Sequence, residues 1–512
     1  MTAYTDSAPH NALSMGRKHS FLQALLYMGL AVLAMAIHAG LSAGLGNIGL
    51  LWLIAITIAF LVIKPELALT FLLVTMFLQN IFIASVAPSL PDHDHFNMLM
   101  ATSFICILLT SLVCVPKWLQ MREALPEANR KILRWGFIFF AAVGIYSLLG
   151  LLSTPFSSVA LYVRVYLGGG LLLAIGVAFG AQIKIDYIIS VVRLLTIILV
   201  LWGFIEFFWT YDLYSLFNLV EFYHFKYSGD GDAAVYGSVS DVINYSSRSY
   251  LNLTGMAGLD LQLLRPNGPN LHPITYAYCT AFCCLLCFMY RSYVLMLSCM
   301  VILGLIGAKG PIILVLATLA LYMFYASTRR PTWLIVATVF LMSVYAASGI
   351  IYGLATDDYH VIGLAGGFKG FMHNPFGHGV GVGGNLSTAG TMLTDKTFAF
   401  YQEYGADYGF ESAIGVLIYQ LGLGALTFFI FYWVLLKNVW KMARDLPVNT
   451  RLMILPIILL FLLMNALFQE EAFSPTGWGL WMLFCGFVLS KYWQHGQMED
   501  KTERHAMLPI VG

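Results

Sequence analysis

Charge is what this sequence has least of. Asp, Glu, Lys and Arg make up 10% of its 512 residues while hydrophobic types make up 59%, and an ordinary soluble domain carries about 25% charged residues. The shortage argues against a soluble enzyme. The formal net charge is only +1, so no basic excess is there to attract nucleic acid. Cysteine is scarce and poorly placed for cross-linking, because all eight (106, 114, 279, 283, 284, 287, 299 and 485) lie inside apolar stretches. Neither a disulfide framework nor a zinc site is indicated, and these cysteines read as small core hydrophobes. No internal repeat, inverted or direct, is visible, which weakens the case for a secondary transporter built from two related halves. No metal or other cofactor is called for.

Long hydrophobic runs, by contrast, are plentiful. About 20 apolar residues cross the hydrocarbon core of a bilayer, and the chain offers roughly fourteen such stretches, beginning near residues 21, 46, 67, 97, 132, 159, 187, 273, 292, 311, 333, 411, 452 and 474. The expected fold class is all-α: a polytopic integral membrane protein of about 14 transmembrane helices. The first stretch, behind Arg17 and Lys18, can also be read as a signal peptide, but its cleavage signal is weak.

Lys and Arg set the orientation. Twenty of the 27 fall at alternate junctions: Arg17 and Lys18, Lys64, the 117–134 loop, Lys184 with Arg193, Arg291, Arg329 with Arg330, 437–451 and 491–504. By the positive-inside rule these junctions and both termini are cytoplasmic. Two long segments, 210–272 and 354–410, then face the other side as periplasmic loops. Loops of that length are usually functional, and their Phe, Tyr and Leu argue against disorder. The chain thus reads as N-terminal spans (1–209), a first long loop (210–272), central spans (273–353), a second long loop (354–410), and C-terminal spans with a cytoplasmic tail (411–512).

The seven remaining cations (Arg164, Lys226, Arg248, Arg265, Lys309, Lys369 and Lys396) sit on the disfavoured side or just beneath it. Arg164 lies several residues inside a span, ahead of Gly168-Gly169-Gly170. A guanidinium there is costly unless it snorkels, pairs or faces a wet cavity. Arg265 opens Arg265-Pro266-Asn267-Gly268-Pro269-Asn270, a turn made rigid by two prolines, and could present its charge at the membrane surface or simply end a loop. Lys309 precedes Gly310-Pro311, where a helix N-terminus and an ammonium would together welcome an anion; an interfacial anchor is the plainer alternative.

The run 366–385 is rich in glycine and holds Lys369 and His373, but its spacing is no nucleotide-binding fingerprint. Such a backbone can still approach phosphate oxygens closely. Asp407 and Glu411 flank the mouth of the next span, where Glu411 could complement a helix dipole or act as a general base. Glu206, Glu470 and Glu471, near outer span ends, read as supporting partners or interfacial acids.

The Arg265–Asn270 turn before a span, the basic turn at Lys309, the stretch from His373 to Gly381 and the run from Glu411 to Gly424 follow one another in an order that resembles the O-antigen polymerase and O-antigen ligase superfamily of bacterial membrane glycosyltransferases, over residues 160–435. The resemblance implies a metal-independent polysaccharide polymerase of the inner membrane. It would transfer an undecaprenyl diphosphate-linked oligosaccharide to an acceptor sugar hydroxyl at the periplasmic face, for O-antigen or exopolysaccharide synthesis. Arg164, Arg265, Lys309 and Lys369 would serve the diphosphate, although a Lys at 309, where relatives have Arg, cannot grip it bidentately. Glu411 would be the base, with Asp407 and His373 as the other candidates. Ligases carry a His-Asn pair where this chain has Glu411-Ser412, which points to a polymerase; a ligase moving glycan onto lipid A core is the alternative, and a glycan-lipid flippase or other transporter the alternative from another class. A chain-length regulator and a flippase of the same pathway are the implied protein partners, besides membrane lipid. Tyr236, Tyr245, Tyr250 and Tyr401 are candidates to stack on glycan.

Overall fold

The computed structural model describes residues 8–121, 127–227, 236–249, 262–355, 358–386, 411–446 and 451–496. Among them the one sheet is a short antiparallel ribbon pairing Ser247–Ser249 with Gln262–Leu264, and nearly everything else is helix. Among the described residues eight helices are long and apolar enough to cross a membrane, or nine if His93–Met100 and Thr102–Cys114 count as one span bent by 45°. Asn47–Ile63, Pro273–Met289, Tyr293–Ile306 and Ile454–Asn465 are shorter apolar helices. The chain is a multi-pass helical membrane protein. Every apolar stretch read from the sequence starts in or beside a helix. Several of those stretches fall on helices that are shorter or broken.

The breaks follow the sequence. Lys64, Arg330 and His272 each precede a proline that opens the next helix, and the residue before proline is driven out of the helical region. Side-chain caps start others: Asp92 accepts from the His95 N–H, Ser238 from Asp241 and Ser412 from Gly415. Burial separates core spans from peripheral ones. Of an 18-residue apolar window in Pro65–Ser89, 83% is buried within the protein, against 11% in Pro331–Ala355, which leaves Val336, Val339 and Phe340 exposed. So large an apolar surface suits hydrocarbon and not water.

The chain divides into two compact units, each discontinuous in sequence: Met1–Val113 with Phe179–Gly307, and Cys114–Ala178 with Ala308–Gly512. The consecutive segments expected from the sequence cut across this division, since helices far apart in the chain pack together.

In the first unit, one end brings Gly46 beside His95, and there Asn218 Nδ2 donates to the Ser85 carbonyl (3.4 Å) and the Tyr223 hydroxyl to that of Leu271 (3.2 Å). At the other end the Tyr187 hydroxyl donates to the Glu66 carbonyl (3.2 Å) and Arg193 Nε to Ser292 Oγ (3.1 Å). The segment 210–272 is not a plain loop. Thr210–Leu216, Leu219–Tyr227 and Val239–Ser246 are helices, packed over Phe96, Tyr214, Phe222 and Tyr236. The cysteines of Pro273–Met289 are buried and, like the others, form no disulfide.

In the second unit the described part of 354–410 is also ordered differently from a loop. The Tyr359–His373 helix runs parallel to Ala413–Leu421: His360 meets Glu411 at the start, Gly367 lies against Gly415, and Gly370 against Tyr419. The chain then returns along the same helix. His378 and Gly379 donate backbone N–H groups to the Tyr419 and Gln420 carbonyls (3.1 and 3.0 Å), and Val380 donates to Tyr146 (2.9 Å). This re-entrant path satisfies backbone groups in protein, which a lipid-facing loop could not do.

Candidate functional site

The second unit gathers the chemistry. Ser412 caps Ala413–Leu421, and the Ile414 N–H donates to the Ala466 carbonyl (3.0 Å). That bond fastens Glu411 to the segment carrying Glu470 and Glu471. Asn465 Nδ2 in turn donates to the Gly310 carbonyl (2.9 Å), which brings the Lys309 turn to the same segment. Glu411, three-quarters buried, accepts from Asn385 Nδ2 on one oxygen (3.1 Å) and lies 3.2 Å from His360 Nδ1 on the other. Lys309 is exposed and close enough to act on His360. Burial lowers the His360 pKa; Asp358 opposes the shift and Lys309 adds to it.

Arg164, on the Phe156–Gly180 helix, is half-buried and feels Glu471 as its neighbouring acid. Its flanking tyrosines hold the re-entrant chain. Tyr162 accepts from the Leu386 N–H (3.2 Å), and Tyr166 donates to Gln420 Oε1 (2.8 Å), whose amide donates to the Val382 and Gly383 carbonyls. Tyr162 also faces Glu470. Burial pushes the Glu470 carboxyl up to about 8; Glu411 and Glu471 add to the shift, while Tyr162 and the Asn385 N–H oppose it. The two carboxyls thus differ in surroundings: Glu411 lies beside His360 and Asn385, while Glu470 is buried and ionises less readily.

Other expected site residues lie elsewhere in this unit. His373 is exposed at the end of the Tyr359–His373 helix, about 20 Å along it from His360 at 1.5 Å per residue. It is therefore not beside Glu411. Lys369 is half-buried near the Gly370–Tyr419 contact, also well down the helix. In the glycine-rich stretch after it, the N–H groups of His378, Gly379 and Val380 are donated to protein carbonyls and are not offered to a phosphate. His378 stacks on Tyr419 with ring centroids 4.0 Å apart, and burial lowers its pKa. Asp407, Lys396, Tyr250 and Tyr401 lie outside the described residues.

Arg265 belongs to the first unit, where the Arg265–Asn270 turn is held from beneath. Glu206, fully buried, accepts from the N–H groups of Asn267 (2.7 Å) and Gly268 (2.8 Å) and from the Tyr214 hydroxyl (2.8 Å). Asn267 Nδ2 donates to Tyr214 and to Ser246 Oγ. Gly268 has φ of 65°, and a Cβ there would collide with the Tyr276 ring. Arg265 Nε donates to the Ile306 carbonyl (3.0 Å), near the end of Tyr293–Ile306. His272 follows as the cap of Pro273–Met289. Burial, with Lys226 and Arg265 nearby, pushes its pKa down to about 3. Lys226 lies over the Tyr223 and Tyr227 rings, 5.7 and 5.2 Å from their centroids. Tyr236 is buried and stacked on both those rings, so it is core and not a glycan platform; Tyr245 is exposed.

Sequence reasoning missed His360, which no motif marks, and ranked Glu470 and Glu206 too low. Their signal was present in kind: an acid among apolar residues at a span end must be paired, bonded or neutral. Comparisons with family models, with curated proteins and with solved structures find no match to this chain.

Proposed function

We propose that the protein is a polysaccharide polymerase of the bacterial inner membrane, which transfers a glycan from undecaprenyl diphosphate to an acceptor sugar hydroxyl on the non-cytoplasmic side. The observation that carries this reading is the group in the second unit: Glu411 held by His360 and Asn385, beside Glu470, Glu471 and Arg164. Glu411 takes the proton of the acceptor hydroxyl as its oxygen attacks the anomeric carbon. The bond from that carbon to the diphosphate oxygen breaks, and its electron pair leaves with the lipid diphosphate. Arg164, with Lys309, meets the charge that gathers there. Displacement in one step inverts the anomeric centre. Arg265, in the other unit, enters this reading through the sequence resemblance alone. The placement of Lys and Arg supports cytoplasmic termini.

The test is polymer assembly by the purified protein from a defined lipid-linked repeat unit. Glu411→Gln is expected to lower kcat by about 10²–10⁴-fold, and Arg164→Ala to abolish long polymer, each at unchanged protein abundance. Normal polymer from either variant removes that residue from its role. Transfer to lipid A core without chain growth would favour a ligase, and movement of intact lipid across vesicles without new glycosidic bonds a flippase.

A further inference from the structure

Two helix starts meet at Glu411, and glycine brings them there. The Tyr359–His373 helix carries Gly363 and Gly367 about one turn apart, and both lie so close to Gly415 of Ala413–Leu421 that a Cβ on Gly367 or Gly415 would strike the backbone of the other helix. Small residues at this spacing let two helix backbones touch. Caps fix the ends: Asp358 accepts from the His360 N–H (2.9 Å) and Ser412 from that of Gly415 (3.0 Å). The His360 ring then stands with Nδ1 3.2 Å from Glu411 Oε2, while Asn385, at the end of the re-entrant stretch, donates its Nδ2 to Oε1 (3.1 Å). The His360 and Glu411 side chains are 23% and 25% exposed, so an acceptor hydroxyl can reach the carboxylate.

We infer that His360 is a positioning residue for this reaction: it donates its Nδ1–H to Glu411 and, with Asn385 on the other oxygen, holds the carboxylate ionised and in one orientation toward the acceptor hydroxyl. The inference rests on the glycosyltransferase reading of the same site. Burial and a neighbouring acid both favour the protonated form of a carboxyl, which is no base, whereas donors on its oxygens favour the ionised form. Glu411 has both disadvantages, being three-quarters buried with Glu470 near it, and both donors. The His360 approach is not aligned as a hydrogen bond, and contacts of this kind tighten in the complex with substrate. The charged groups facing His360 are Asp358 from its own cap, Lys309 from the start of Lys309–Thr328, and Glu411; burial and Lys309 favour the neutral ring and Asp358 the charged one. His360 keeps its proton throughout, and Glu411 alone takes the proton released by the acceptor. The effect of His360 therefore belongs in kcat and its pH dependence, not in KM.

Two measurements on the full-length purified protein test this. Nitrogen NMR of isotope-labelled histidine is expected to find a proton on Nδ1 in the ring whose signals His360→Asn removes. An Nδ1 without a proton overturns the inference whether or not polymer is made. In the assembly assay, His360→Ala is expected to lower kcat about 10–100-fold, with KM for an undecaprenyl diphosphate-linked oligosaccharide little changed. The acid limb of its kcat–pH profile should move to higher pH, because the carboxylate has lost a donor. His360→Asn, whose amide nitrogen can stand where Nδ1 does, should restore both kcat and the limb. A purely structural role would lower the yield or the melting temperature and leave the limb in place. An Ala variant with the wild-type limb, or an Asn variant no better than Ala, also overturns the inference. A wild type that makes no polymer at any pH refutes the glycosyltransferase reading instead, while the NMR result still decides whether His360 carries the proton it would donate to Glu411.

Discussion

Single residues carry more here than their number suggests, because each charge in an apolar chain needs a partner. Glu206 shows how strictly. Its two oxygens collect the Asn267 and Gly268 N–H groups and the Tyr214 hydroxyl, three donors that a buried turn would otherwise leave unsatisfied. Glu206→Gln puts an NH₂ where an acceptor is needed, so a donor faces a donor. We expect a loss of about 1–3 kcal/mol, read as a lower unfolding midpoint of the detergent-solubilised protein; an unchanged midpoint would mean that the turn is held by other contacts. From sequence alone, Arg164, Arg265, Lys309 and Glu411 stood out because cations and acids at a span's outer end are rare enough to notice. His360 did not. Its meaning comes only from lying 3.2 Å from Glu411, across 51 positions of chain.

At the level of elements, hydropathy located the helices well and the connections poorly. An apolar run announces a helix, but nothing in a run of Gly, Asn and His says whether it extends into solvent or threads back through protein. The re-entrant stretch after His373 does the latter, and its glycines serve close packing. Gly422 breaks the helix that begins at Ala413, with φ of 50°, and a Cβ there would meet the Pro375 carbonyl oxygen. Gly422→Ala is therefore expected to cost at least about 1–3 kcal/mol from backbone strain alone, seen as a lower melting temperature or a loss of monodisperse protein.

The cap at His272 gives a second test at this scale. Its Nδ1 accepts from the Thr275 N–H (3.3 Å), which requires a neutral ring. The folded-state pKa, near 3, lies below the ordinary 6.5, so the unfolded chain binds the proton first. The stability contributed is complete above 6.5 and is lost as pH falls toward 3. His272→Asn keeps an acceptor at the cap and cannot be protonated, and its melting temperature should fall less between those limits than the wild type's. An equal fall in both proteins would assign the acid sensitivity to other groups.

For the molecule as a whole, charge and geometry agree on which ends belong together within each unit. In the first, Lys64, Arg193 and Arg291 lie around one set of turns, close to the Glu66–Tyr187 and Arg193–Ser292 contacts, while Gly46, His95 and the 265–272 turn lie around the other. In the second, Arg329 and Arg330 end the helix that Lys309 begins, so the turn with two arginines and the candidate acid–base group are a helix length apart. An alternation of this kind, repeated at nearly every turn, is the pattern that the positive-inside rule produces. Reporter fusions test it directly. A phosphatase domain active only outside the cytoplasm should be active when fused after Gly307 and inactive when fused after Ser292 or Arg330. The reverse pattern would put Glu411, Glu470 and Arg164 on the cytoplasmic face, within reach of nucleotide sugars, and would make a lipid diphosphate an unnecessary donor.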